Sequence, residues 1–139
     1  MSKQHTTVRS YGVLIHEGRI ALVRSSNPQH VPPLWWLPGG GISFGEAPED
    51  TLFREFKEET GLEVRNPKLL GVTSDVRRRD NGDQSHTVRI LFTVELAGGE
   101  LQHEVHGTTD HASWFDVAQL ETLNVAEYAR AAIIAAQEK

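Results

Sequence analysis

PEDTLFREFKEETG, residues 48–61, is the stretch on which the fold turns. Proline opens it, which suits a first helical position, because the N–H it lacks would have gone unpaired there. Glu49 and Asp50 follow at the end where a helix dipole is positive. Gly61 stands where a left-handed C-terminal cap belongs. The spacing predicts a helix from Pro48 to Thr60, although Ala47 is a poor N-cap. At about 100° per residue, with Glu55 at zero, Glu58 falls near −60° and Glu59 near +40°, so the three glutamates share one arc. Leu52, Phe53, Phe56 and Thr60 make the adjoining flank, which is expected to be buried. Arg54 precedes Glu58 by four residues, close enough to pair with it. Glu55 and Glu59 are like charges at that same spacing, at a cost of roughly 0.2–0.5 kcal/mol. Spacing alone leaves two readings open: a solvated face with one ion pair, or a cation site. Oxygen ligands on one face suit a hard ion such as Mg²⁺, which takes a few carboxylates and completes its shell with water and substrate phosphates.

Composition narrows the classes of function. A chain of 139 residues is expected to form one domain, residues 1–139. It has no cysteine, which excludes disulfides, thiolate metal sites and a cysteine nucleophile. MSKQHTTVRS, residues 1–10, lacks the apolar centre of a signal peptide, and no apolar run approaches the roughly 20 residues of a membrane span. A cytoplasmic protein with no membrane partner is the expectation. Net charge is −5, so duplex nucleic acid, which demands a basic footprint, is not an expected partner. An acidic protein can still bind an anionic ligand if a cation lies between them.

Around the helix the pattern reads as strands. TVRSYGVLIH (residues 7–16) and RIALVR (residues 19–24), joined at Glu17-Gly18, predict a hairpin. SSNPQHVPP (residues 25–33) is a loop, and LWWLPGGG (residues 34–41) a glycine-rich turn that lets a ligand approach the main chain. PKLLGVTSDV (residues 67–76) and HTVRILFTVEL (residues 86–96) are further strands; the second alternates with a period of two and one side buried. RRRDNGDQS between them reads as a polar turn, its DNGD lacking the downstream glutamate of a calcium loop. HASWF (residues 111–115) is a short strand. Asp116/Gln119 and Asn124/Glu127 each have capping-box spacing. Val125, Tyr128, Ala129, Ala132, Ile133 and Ala136 form an apolar stripe on a last helix. Strands, helix, strands and helices in that order favour an α+β fold with a mixed or antiparallel sheet.

GGISFGEAPEDTLFREFKEETGL (residues 40–62) resembles the Nudix box: G, five residues, E, seven residues, R-E, an apolar residue, any residue, E-E, any residue, G, an apolar residue. Gly40, Glu46, Arg54, Glu55, Phe56, Glu58, Glu59, Gly61 and Leu62 occupy it without a gap, and WWLPGG (residues 35–40) is similar to the family's usual approach to the box. The resemblance implies the Nudix (MutT-like) α/β/α sandwich, a mixed sheet with the box helix and a C-terminal helix packed on it. It implies a Mg²⁺- or Mn²⁺-dependent enzyme that hydrolyses the diphosphate linkage of a nucleoside diphosphate joined to another group. Gly40, Glu55, Glu58 and Glu59 match the metal positions, and Arg54 and Glu46 those that brace the helix. For the catalytic base the order is Glu58 or Glu59, then Glu104, then Asp110, the last two in HEVHGTTDHASW (residues 103–114).

Other residues carry two readings each. In VRRRD (residues 76–80), alternation sends Arg77 and Arg79 to one side and Arg78 to the other. They could grip a terminal phosphate, or form a solvated edge that discourages sheet pairing. Trp36 could stack a nucleobase or pack; Trp35, Trp114 and Phe115 read as core. His106 and His111 are candidate catalytic or metal histidines set against plain loop residues. The stretch 63–84 shows none of the family's NADH, ADP-ribose or diadenosine polyphosphate markers. A (deoxy)nucleoside triphosphate pyrophosphohydrolase is therefore the first expectation. An NDP-sugar or ADP-ribose type pyrophosphatase is the alternative. A non-catalytic nucleotide-sensing Nudix module and a plain acidic interaction domain also stand, and a homodimer is left open.

Overall fold

The helix expected from Pro48 forms over Pro48–Thr60 (α1) in the computed structural model, which describes residues 2–102 and 109–138. Gly61 caps it at φ 78°, its N–H donating to the Lys57 carbonyl. Only glycine takes this left-handed conformation without steric cost. The Asn-free hairpin also forms: β1 (Gln4–His16) returns as β2 (Arg19–Ser25) through a turn in which Glu17 and Gly18 both have positive φ.

The remaining elements are β3 (Trp35–Trp36), β4 (Gly39–Gly41), β5 (Leu62–Arg78), β6 (Gln84–Gly99), β7 (Thr109–Asp116), a 3₁₀ turn over Val117–Glu121 and α2 (Glu127–Gln137). The glycine-rich segment is thus a short strand and not a free turn. It pairs antiparallel with β1, Arg9 opposite Gly41 and Tyr11 opposite Gly39. β1 runs parallel to β6, from Gln4 beside Gln84 to Leu14 beside Val94, and β5 completes a long antiparallel hairpin with β6. The strand order is β3-β2-β1-β6-β5, with β4 on β1 and β7 on β2, so the sheet is mixed.

A helix covers each face. Leu52 and Phe56 of α1 pack on Leu14, Ala21, Phe92 and Val94. Ala129, Ala132 and Ile133 of α2 pack on Tyr11, Val13, Ile20, Leu22 and Leu91. Two sequence expectations need correction here. β6 is buried on both faces and not one, because Leu91 faces α2 while Phe92 and Val94 face α1. Asn124 does not cap α2, which starts at Glu127 after Ala126. Its amide donates to the Pro32 carbonyl and its own carbonyl accepts the Trp35 N–H, so it ties down the loop before β3. The Asp116/Gln119 box does form, with the Asp116 N–H donating to Gln119 Oε1 at 2.9 Å.

Candidate active site

The acidic face of α1 is a built array and not a solvated run. Arg54 forks onto Glu46, Nε to Oε2 at 2.9 Å and Nη2 to Oε1 at 3.0 Å. Its Nη1 donates to Glu55 Oε1 at 2.9 Å and Glu58 Oε2 at 3.2 Å. One guanidinium therefore orients three carboxylates, a task suited to its planar set of five donors. Thr51 and the Ser43 N–H also donate to Glu46. The Arg54 hydrogen bonds, then that of Thr51, hold the Glu46 carboxyl down to about 2.

Glu59 departs from the helical-wheel picture, which sets it with Glu55 and Glu58 on an open face. It is only 6% exposed. Its Oε1 accepts the Gly39 N–H at 2.8 Å and its Oε2 accepts the Thr109 hydroxyl at 3.1 Å. Burial, with the charge of Glu55 adding to it, pushes this carboxyl up to about 8 against those hydrogen bonds. A cation brought beside a carboxyl in that condition would favour its ionised form.

The donor set fits a hard divalent ion. It is oxygen-only, and Gly40 faces Glu55 so closely that a Cβ there would lie 2.7 Å from Glu55 Cδ. Among the described residues no three Asp, Glu or His side chains already converge on one point. Glu55 and Glu58 instead lean on Arg54, so taking up an ion would require their carboxylates to turn.

Beside the box lies a cleft of about 1030 Å³. Its wall includes Gly41, Ile42, Ser43 and Phe44, the segment that joins β4 to α1; the box carboxylates themselves are not in its lining. Among the described residues, Arg9, Arg77, Arg79 and Arg89 line it, against one acid, Asp75. Trp36 lines it and also a second recess of about 580 Å³, which runs under the loop from Ser25 to Leu34 and shares Arg77, Arg89 and Tyr128.

A family model described as "NUDIX domain" matches residues 5–136. The chain belongs to the Nudix family. An ADP-ribose pyrophosphatase of Methanocaldococcus jannaschii is 35% identical over 120 residues, 86% of this chain and 67% of that protein. Three curated relatives are matched over 51–67% of their length. Among solved structures, a MutT NUDIX hydrolase from Burkholderia pseudomallei superposes with a TM-score of 0.75 at 26% identity, over 94% of this chain and 97% of that one. The NUDIX domain of Shewanella oneidensis NrtR, solved with ADP ribose, gives a TM-score of 0.74 at 23% identity over 99% of this chain and 89% of that one.

On this Nudix domain the residues singled out from sequence separate into three groups. Gly40, Arg54, Glu55, Glu58 and Glu59 gather at the box. Arg77, Arg79 and Trp36 gather on the cleft. Asp110 belongs to neither: its carboxylate accepts Arg24 Nε at 2.8 Å, and Arg24 holds it below its ordinary range. His111 lies against Trp35, ring centroids 6.1 Å apart. Glu104 and His106 lie outside the described residues. Trp35 is buried against Phe115, as expected of core. Sequence alone does not point to Thr109, Arg9, Arg89 or Tyr128. Thr109 gives no signal before its strand is placed. Arg9 and Arg89 sit in period-two runs, but which runs pair across the sheet is not written in either of them.

Proposed function

We propose that this Nudix domain is a Mg²⁺- or Mn²⁺-dependent pyrophosphohydrolase that cleaves the diphosphate linkage of a nucleoside diphosphate joined to a sugar, with ADP-ribose the first substrate to test. One observation carries this reading. A carboxylate array and an arginine-lined cleft meet along one segment, residues 39–44, so an anionic linkage has a cation-binding side and a cationic side.

Glu55, Glu58, Glu59 and the Gly40 main chain would hold the metal. When bound, it supplies positive charge at the phosphate oxygens and lowers the pKa of water. Arg54 keeps Glu55 and Glu58 aligned on one face, with Glu46 as its anchor. Gly39 and Thr109 fix the Glu59 carboxyl from two sides. Glu58 or Glu59 takes the proton of the attacking water. Asp110 ranks below them, because a carboxyl held low by Arg24 is a weak proton acceptor. Arg77 and Arg79 face the part of the substrate that lies in the cleft, and Trp36 offers a ring to the base.

The order of substrates differs from that expected from sequence. The curated relative at 35% identity is an ADP-ribose pyrophosphatase, which supports the sugar-linked class over triphosphates. The triphosphate reading stays second, supported by the likeness to a MutT hydrolase. Retention of all three box glutamates favours turnover over a silent sensing role.

A panel of ADP-ribose, nucleotide sugars and deoxynucleoside triphosphates, assayed with Mg²⁺ and resolved by chromatography, tests this. AMP and ribose 5-phosphate are the expected products from ADP-ribose. Glu59→Gln should lose turnover by orders of magnitude while remaining folded; equal turnover in that variant removes Glu59 from the site. Faster cleavage of a triphosphate than of any sugar-linked substrate overturns the substrate class.

A further inference from the structure

Parallel pairing sets Arg9 of β1 directly beside Arg89 of β6. Paired positions share a face, and like charges side by side are destabilising. Both side chains line the cleft. Their tyrosine partners orient them and carry no counter-charge. Arg9 Nη1 donates to the Tyr11 hydroxyl at 3.0 Å. The Tyr11 ring lies 5.1 Å from that of Tyr128, and the Arg89 guanidinium lies 4.3 Å from the Tyr128 centroid. Burial keeps the Tyr128 phenol well above its ordinary pKa, hence neutral.

Among the described residues Arg89 has one acidic partner: its Nη1 donates to Asp75 Oδ2 at 2.6 Å, and the Asp75 side chain is 57% exposed. Arg89 Nε and the Tyr128 hydroxyl are buried, and among the described residues neither has a partner within hydrogen-bond geometry. Leaving a buried donor unmet is destabilising, and more so on a charged group. Arg9 has no ion-pair partner among the described residues, yet its field reaches Glu59. A neutral base would not relieve this repulsion; a multiply charged oxyanion would.

We infer that Arg9 and Arg89 form a two-guanidinium clamp for the substrate's diphosphate, held in place by Tyr11 and Tyr128, and that this clamp sets affinity for the phosphorylated part of the ligand. The inference rests on the hydrolase reading above for the identity of the substrate. Its chemistry is narrower: a phosphate oxyanion, recognised by residues outside the box.

Inorganic pyrophosphate is the probe, titrated calorimetrically with Mg²⁺ present into the wild-type chain, Arg9→Gln and Arg89→Gln, with adenosine as the phosphate-free control. Pyrophosphate affinity should fall by about tenfold or more in each variant, the scale of one charged hydrogen bond, and adenosine binding should not change. On whichever substrate is cleaved, KM should rise by a similar factor with kcat nearly constant, and Arg9→Lys should recover part of the loss. Thermal melts identify a variant that fails to fold; Arg9, at the half-buried rim, keeps the test open if Arg89→Gln does so. Unchanged pyrophosphate affinity and KM in folded variants overturn the clamp while leaving the hydrolase reading intact. Loss of adenosine binding alone overturns it in favour of a nucleoside contact. Absence of pyrophosphate binding by the wild type overturns it as well. If the wild type cleaves nothing, the hydrolase reading fails, and the pyrophosphate titration still decides the clamp.

Discussion

Gly40 has no side chain, and the volume a Cβ would occupy belongs to Glu55. Gly40→Ala should push that carboxylate off its position on Arg54. We expect turnover to fall by at least about tenfold, the scale at which displaced ligand-orienting groups act, with little change in melting temperature. Steady-state kinetics beside a thermal melt checks this. Glu46 has a consequence in acid. Its folded-state carboxyl titrates near 2, below the ordinary 4.5, so the ionised form is the one the fold prefers. Its stabilising effect is full above about pH 4.5 and is lost as pH falls toward 2. The gap in melting temperature between wild type and Glu46→Gln should therefore be widest near neutrality and close across that acidic window. Arg54, Glu55 and Glu58 are legible from helix geometry, which sets them on one face, whereas Gly40 and Glu46 precede the helix and are singled out only by the resemblance to the Nudix box. Glu59 is the exception: its two partners, Gly39 and Thr109, come from strands twenty and fifty residues away.

α1 shows how far an element can be read from local chemistry. Pro48, the first-turn acids and Gly61 place both ends, and the structure keeps them. The C-terminal end is the more exacting. At φ 78°, a Cβ on Gly61 would meet the Glu100 carbonyl oxygen at 2.5 Å and Gln102 Cγ at 2.9 Å. Gly61→Ala should cost about 1–3 kcal/mol in urea denaturation, the usual price of forcing a side chain into this region. The strands depend on partners farther along the chain. β6 reads as one-sided because Arg89, Thr93 and Glu95 alternate with apolar residues, yet the outward set also contains Leu91, which α2 covers. Burial on that side depends on a helix some forty residues downstream. Asn124 reads as a cap by spacing, but the carbonyl of Pro32 offers it a better partner. No local pattern could reveal that competition.

At the scale of the molecule, charge is segregated. The chain is acidic overall, yet among the described residues four arginines and one acid line its cleft. Anionic substrate should then be drawn in by a field that salt weakens. Raising NaCl from roughly 0.05 to 0.5 M should increase KM several-fold, with kcat less affected, because the screening length shrinks to a few ångströms. An initial-rate series at constant Mg²⁺ measures it. Element order foreshadowed the mixed sheet, and the resemblance to the Nudix box the family and the helices on both faces; the cleft was not foreshadowed, because it is made by strands that meet only in the finished sheet.

That β1 lies between β4 and β6 has a consequence for how the chain is made. Its parallel neighbour, β6, pairs with it through residues 84–94, some eighty positions later. While a ribosome is still threading out the middle of the protein, the first strand has emerged without the partner that will flank it. Tyr11, Val13 and Leu14, all destined for the interior, must wait in water or against transient neighbours until β6 arrives. A nascent polypeptide arrested before residue 84 should accordingly stay sensitive to protease, and acquire resistance only after the second half of the sheet clears the exit tunnel.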